Sequence, residues 1–283
     1  MKNLNVRMML KEFEHFIKTE KDIALIELIT VKGSSPREVG AWMLASPQKC
    51  LNTIGGGVLE FSMVAEAKKM MEDRSVDKLS FKSNLNPEFD QCCGGVVSCQ
   101  ISTVTKSTLK MIKKRIKNEI SKYKSLYLFG AGHVGKSVIK LGLNLPLKIT
   151  VTDSRLDLVK GLQNQFRDYV DTIKFNVDAI PERIIKSSPE NSAYLVMTHS
   201  HATDFSLIEE ILSLKKIGYV GMIGSKSKKI SLQKYLKRKN ISDNTADLVK
   251  CPIGRPIKFS GRKSPEVIAA LTISDILESL DSE

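Results

Sequence analysis

Apolar positions recur along this chain with two different periods, and where the period changes the chain divides. Between Met8 and Lys18 apolar and charged residues alternate at helical spacing, whereas Ile23–Ile29 is a short, mostly apolar, β-branched run of the kind a buried strand uses. The turn-rich V-K-G-S-S-P-R follows, in which Pro36 pre-sets its own φ and pushes Ser35 towards extended geometry. A-W-M-L-A predicts a second strand, and L-N-T-I-G-G-G breaks the chain before a helical run over Val58–Met71. L-S-F-K-S and V-V-S-C-Q-I-S-T-V predict two further strands, the second alternating apolar and polar residues. The densely charged stretch Lys106–Lys124 carries only a thin apolar stripe, Leu109, Ile112, Ile116 and Ile120, and reads as a helix linking two domains. From Ser125 onward short apolar runs (S-L-Y-L-F, L-K-I-T-V-T-D, Y-L-V-M-T, Y-V-G-M-I-G) alternate with turns and helical patterns, which predicts a parallel sheet with helices on its faces. The last helix begins at Pro265, with Ser264 as its cap. The expected architecture is α/β throughout: a smaller α/β domain over 1–122, closed by the basic linker helix, and a parallel-sheet domain with a C-terminal helix over 123–283.

Candidate chemistry gathers in the turns. G-A-G-H-V-G (Gly130–Gly135) follows a strand and opens a helix, and Asp153 lies 23 residues after Gly130 at the end of the next strand. That is the context of a dinucleotide-binding Rossmann domain. Gly130 permits the tight turn, Gly132 lets a phosphate approach the backbone, Gly135 lets helix and strand pack closely, and the helix N-terminus attracts an anion. Asp153 is expected to accept a ribose diol and to repel a 2′-phosphate. T-H-S-H-A-T-D (Thr198–Asp204) follows a strand, so Thr198, His199 and His201 are expected to face the same crevice and, with His133, to hydrogen-bond an oxygen-rich ligand. His199, His201 and Asp204 resemble a metal-ligand set, yet the motif lacks the final histidine of metallo-hydrolases, and no resident metal is expected. Q-C-C-G-G leaves Cys92 and Cys93 beside two glycines, where a thiolate could ligate a soft metal or carry sulfur; buried structural thiols are the other reading. Gly55, Gly56 and Gly57 form a second potential anion nest, with Arg37 upstream as a clamp for phosphate or carboxylate; the alternative is a plain sharp turn.

Composition narrows the classes. The five cysteines (Cys50, Cys92, Cys93, Cys99, Cys251) are odd in number and sparse, which points to reduced thiols. Charges interrupt the N-terminal stretch where a signal peptide needs an apolar run, and no apolar run approaches a membrane span, so a cytoplasmic protein without membrane contact is expected. The net charge of +13 comes largely from Lys215–Lys239 and Lys106–Lys124. It favours anionic partners, while a Lys-rich solvated surface is the plainer reading of the same charge. With only 6% aromatic residues and no basic stripe interleaved with them, nucleic acid is not expected among those partners.

Taken in order, these motifs resemble one family. G-S-S-P-R-E-V-G-A-W-M-L, I-G-G-G-V-L-E and Q-C-C-G-G look like the amino-terminal XdhC/CoxI domain. L-F-G-A-G-H-V-G, T-D-S-R, M-T-H-S-H-A-T-D, Y-V-G-M-I-G-S and P-I-G…S-P-E-V-I-A look like its Rossmann domain. The resemblance implies an accessory protein of xanthine dehydrogenase or a related molybdenum hydroxylase, which binds the molybdenum cofactor, protects it while an oxo ligand is exchanged for sulfur, and delivers it to the apo-enzyme. It also implies a cysteine desulfurase as sulfur donor, a homodimer, and Cys93 and Cys92 as contacts to the molybdenum end. The tail I-G-R-P-I-K-F-S-G-R-K-S-P is more basic than the family pattern, which leaves the client open. Two rivals remain from the residues alone: an NAD-dependent oxidoreductase, with NAD or another nucleotide in the Rossmann crevice and His199 as its acid/base, and a nucleotide-sensing regulatory module.

Overall fold

In the computed structural model, which describes residues 6–73, 75–84, 95–169, 172–177, 181–254 and 264–281, the chain forms two compact units, Met1–Ser121 and Lys122–Glu283. The first holds strands β1 (Ala24–Lys32), β2 (Trp42–Ala45), β3 (Cys50–Asn52), β4 (Lys78–Asn84) and β5 (Val96–Thr103), paired antiparallel in the order β3-β2-β1-β5-β4. Alternation along the strands sends Ala24, Ile26 and Leu28 to one face, where Leu59, Met63, Ala67, Met70 and Met71 of helix α2 (Gly57–Asp73) pack on them. Leu25 and its partner Leu44 point to the other face and are equally buried, so the sheet is covered on both sides. Helix α1 (Val6–Thr19) packs against β3 and against α3 (Lys106–Ser121).

α3 is therefore more than a connector. Its stripe, predicted to be thin, buries Ile112, Ile116 and Ile120 completely or nearly so, with Leu109 half-buried. Its charged faces are tied to the same unit: Lys113 Nζ lies 2.6 Å from Glu14 and Arg115 2.5 Å from Glu27. The charge that suggests a solvated spacer belongs to the outer face of a packed helix.

The registers fix one end of this sheet. Lys32 pairs with Val96, Asn84 also pairs with Val96, Glu27 with Trp42, and Met43 with Asn52. The loops after β1, after β3 and before β5 thus all leave from the same end, which gathers G-S-S-P-R, I-G-G-G and the last glycine of Q-C-C-G-G.

The second unit is a six-stranded parallel sheet of β6 (Lys124–Phe129), β7 (Leu147–Thr152), β8 (Ile173–Asn176), β9 (Ser192–Val196), β10 (Ile217–Met222) and β11 (Val249–Lys250). Its order, β11-β10-β9-β6-β7-β8, reverses direction between β6 and β9, the Rossmann arrangement in which ligands bind at the reversal. β9 is buried at every position, as a central parallel strand covered on both faces must be. One face packs helices α4 (His133–Gly142), α5 (Leu156–Gln165) and α10 (Pro265–Asp281). The other packs α6 (Glu182–Lys186), α7 (His201–Leu212), α8 (Lys226–Arg238) and α9 (Asp243–Ala246). Each aliphatic side chain in these layers, such as Ile139, Leu195 or Ile273, contributes about 1.5–3 kcal/mol by leaving water. As the sequence suggests, Ser264 precedes α10 and its hydroxyl accepts the Val267 N–H.

Candidate functional site

The glycine turn after β6 is shaped by two close approaches and one open face. Gly130 has φ +102°, and a Cβ there would stand 2.2 Å from the Met197 carbonyl oxygen at the end of β9. A Cβ at Gly135 would stand 2.5 Å from the Gly130 carbonyl oxygen, so α4 lies on the turn itself. At Gly132 a Cβ would meet nothing within 4 Å. No protein atom requires glycine there, and the space belongs to whatever approaches the first turn of α4. His133, at that turn, is exposed.

Asp153 closes this turn from below. Its Oδ2 accepts the Ala131 N–H at 2.8 Å and Arg155 Nη2 at 2.7 Å; its Oδ1 accepts the Arg155 backbone N–H at 3.0 Å and Nε at 2.8 Å. Burial raises the carboxyl's pKa, but the Arg155 guanidinium and the two amides outweigh burial and hold it down at about 2. Four donors fill the four acceptor sites of a carboxylate. The expectation that Asp153 offers itself to a ribose diol is corrected accordingly: the carboxylate is saturated by the chain, and Arg155, which the sequence reading passed over, is the group left at the surface.

The T-H-S-H loop is also held from within. Asp204, fully buried, accepts the Thr198 N–H at 3.0 Å and its hydroxyl at 2.6 Å, and forms an ion pair with Lys228 Nζ. Lys228 further donates to the Ile223 carbonyl at 3.0 Å, so one cation ties the loop after β9 to the loop after β10. Asp204 is therefore a brace, and its resemblance to a metal ligand is corrected by its partners; among the described residues no group of three or more His, Cys, Asp or Glu is placed to hold a metal ion. His199, on the loop, and His201, the first residue of α7, are exposed, and Ser200 caps α7 by accepting the Thr203 N–H. Lys228 was hidden in sequence by its basic neighbours.

In the first unit the triple-glycine loop adopts positive φ at Gly55, Gly56 and Gly57, as a nest does, but the nest is already filled. Glu60, in the first turn of α2, accepts the N–H groups of Ile54 (3.2 Å) and Gly56 (3.0 Å) and the Thr53 hydroxyl (2.5 Å), while the Gly55 N–H goes to Thr53 Oγ1 at 3.0 Å. The bare amides expected of Gly55 and Gly56 are thus occupied by the chain's own carboxylate. The loop instead serves to bring neighbours together: a Cβ on Gly55 would lie 2.7 Å from Pro36 Cγ, and one on Gly95 would lie 2.1 Å from the Ser34 carbonyl oxygen. Arg37 is half-buried beside them, Val39 is exposed on the same loop, and Val58 and Phe61 are exposed at the start of α2.

Cys92 and Cys93 lie outside the described residues. The described thiols, Cys50, Cys99 and Cys251, all have pKa values raised by burial, Cys99 to about 11, and none is an activated thiolate.

A family model described as the XdhC Rossmann domain matches residues 126–276, and one described as the XdhC and CoxI family matches residues 16–81. The chain belongs to the XdhC and CoxI family. Among the family protein's relatives, the uncharacterized protein YqeB of Escherichia coli (strain K12) is 22% identical over 260 residues, which is 90% of this chain and 43% of that protein. The chain thus spans less than half the length of that curated relative. A crystal structure of a xanthine dehydrogenase from Bacillus halodurans superposes with a TM-score of 0.72 at 18% identity, covering 97% of this chain and 96% of that one. At that identity the likeness is one of fold, and it extends over both units. No helix among the described residues is long and apolar enough to cross a membrane.

Proposed function

We propose that this XdhC/CoxI-family protein is an accessory factor of a xanthine dehydrogenase-like molybdenum hydroxylase, and that its cargo is the molybdenum cofactor. It takes up the cofactor, shields it while a terminal oxo ligand is exchanged for sulfur supplied through a cysteine desulfurase, and delivers it to the apo-enzyme. It acts as a cytoplasmic homodimer.

One observation supports this reading above the others: the loops after β1 and β3, which carry two of the family's amino-terminal motifs, and Gly95, the last residue of the third, lie at one end of a single sheet. Gly95, the last residue of Q-C-C-G-G, packs on the Ser34 carbonyl of the loop that also carries the half-buried cation Arg37. A soft metal favours thiolate ligands, and an anionic pterin phosphate favours a guanidinium. Cys93 is the first candidate for the molybdenum end and Cys92 the second. Since Glu60 takes the Ile54 and Gly56 amides and Thr53 takes the Gly55 amide, Arg37 rather than those amides carries the cofactor's negative charge.

The test is co-purification from a host that makes the cofactor, followed by metal and pterin analysis of the parent, Cys93→Ala, Cys92→Ala and the double variant. The parent should retain molybdenum and pterin together, Cys93→Ala should lose most of both, and the double variant all. A parent with no more molybdenum or pterin than an unrelated control ends the cargo reading. Retention by the double variant equal to the parent ends the thiol role and leaves the cargo reading standing.

A further inference from the structure

Asp153 and Arg155 together invert the ligand preference that Asp153 alone would set. In a Rossmann crevice an acidic residue at the end of the second strand reads the ribose by accepting its hydroxyls, and its charge turns away a 2′-phosphate. Here β7 is that strand, lying next to β6 on the side away from β9. The acid is present but spent: its acceptor sites are filled by Ala131 N–H, Arg155 N–H and the Arg155 fork. A diol could bind it only by displacing a bidentate ion pair, an exchange with little to gain. Repulsion of a phosphate is gone for the same reason, because the charge is compensated at 2.7 and 2.8 Å.

The guanidinium is planar, with five donors. Nε and one Nη2 hydrogen are directed at Asp153, so Nη1 and the second Nη2 hydrogen lie on the opposite edge. The Arg155 side chain is 46% exposed while that of Asp153 is 3% exposed, so it is this outer edge that meets the solvent. Its orientation is fixed before any ligand arrives, which removes most of the ordering cost of a long side chain. Asp157, in the first turn of α5, is exposed.

We infer that the crevice of the second unit takes a nucleotide whose ribose carries a 2′-phosphate, the class to which NADP and NADPH belong, with Arg155 as the residue that sets the preference. The position separates this site from the open face at Gly132: that face, at the end of β6, lies where a pyrophosphate approaches a helix N-terminus, and Arg155 lies one strand over, where a ribose lies. The inference does not depend on the molybdenum cargo, which the Cys92 and Cys93 variants test separately.

Calorimetric titration of the full-length protein with two ligand pairs decides it: 2′,5′-ADP against 5′-AMP, and NADP+ against NAD+, all at one salt concentration. The 2′-phosphorylated member of each pair should bind about tenfold tighter or more, the worth of a charge-assisted hydrogen bond. Arg155→Met should abolish that preference or reverse it, because it removes the guanidinium and frees Asp153 to accept the ribose hydroxyls of 5′-AMP and NAD+. Removing Arg155 exposes Asp153 to the loss of its partner, so Arg155→Lys, which keeps the charge and loses the fork, is measured beside it and should retain a smaller preference. Equal or tighter binding of the unphosphorylated ligands by the parent, no binding of any of the four, or a preference that survives in Arg155→Met would each overturn the inference.

Discussion

Gly130 and Gly132 sit two residues apart in the same turn, and the reasons for glycine at the two positions differ in kind. At Gly130 the backbone is at φ +102° and the missing Cβ would press on the Met197 carbonyl at 2.2 Å, so an alanine meets both strain and a rigid neighbour. The two terms together come to about 2–5 kcal/mol, enough to unsettle the turn and the end of β9 behind it. At Gly132 φ is −67° and nothing lies within 4 Å, so an alanine is accommodated at a cost within about 0.5 kcal/mol. The same Cβ, however, stands where a phosphate would approach the amides. Thermal melts and calorimetry should therefore separate the pair: Gly130→Ala melts well below the parent, whereas Gly132→Ala melts with it but binds 2′,5′-ADP more weakly. A Gly130→Ala protein as stable as the parent would show that the Met197 contact yields, and the packing argument would fail.

At the scale of elements, the Asp204–Lys228 pair joins the loops that follow β9 and β10, with Lys228 only 8% exposed and Asp204 not at all. Removing one partner strands the other charge in the interior, so Lys228→Met should cost about 3–5 kcal/mol. Converting Asp204 to Asn in that background keeps an acceptor for Thr198 and removes the orphan charge, so the double variant should recover a measurable part of the loss in urea unfolding; a double variant less stable than the single would refute the pair's role. Such braces show where sequence reading runs short. The strands β6, β9 and β10 and the helices that follow them were legible, because buried parallel strands are apolar runs and the helices after them keep a 3.6-residue period. β3 and β11, of three and two residues, have too few positions to show any period. The site was half legible for a related reason. The glycines mark backbone geometry, which is local, but whether Asp153, Asp204 or the Gly55–Gly57 amides are available depends on partners. Glu60 lies four residues from Gly56 and Arg155 two from Asp153, close enough to be suspected; Lys228 lies 24 residues from Asp204, and no pattern connects them.

For the molecule as a whole the excess of 44 Lys and Arg over 31 Asp and Glu gives a charge of +13, and acid makes it far more positive as carboxylates protonate. Self-repulsion then weakens the folded state generally. Asp153 adds a specific contribution of known sign. Its pKa is lowered to about 2 in the folded chain, against an ordinary value near 3.8, so the stability it confers is fully present above about pH 4. That stability, about 2 kcal/mol from the size of the shift, is lost as pH falls through 4 towards 2. Asp153→Asn cannot titrate. It lacks this stabilisation at every pH but carries nearly the same surplus of positive charge as the parent, so general repulsion largely cancels when the two are compared. The stability gap between them, measured by urea unfolding from neutral pH downward, should therefore hold steady to about pH 4 and then close. A gap that stays constant or widens in acid would mean that the carboxylate in the turn is not the anion held by Arg155 and the Ala131 amide, and the ligand preference argued from that pairing would lose its footing with it.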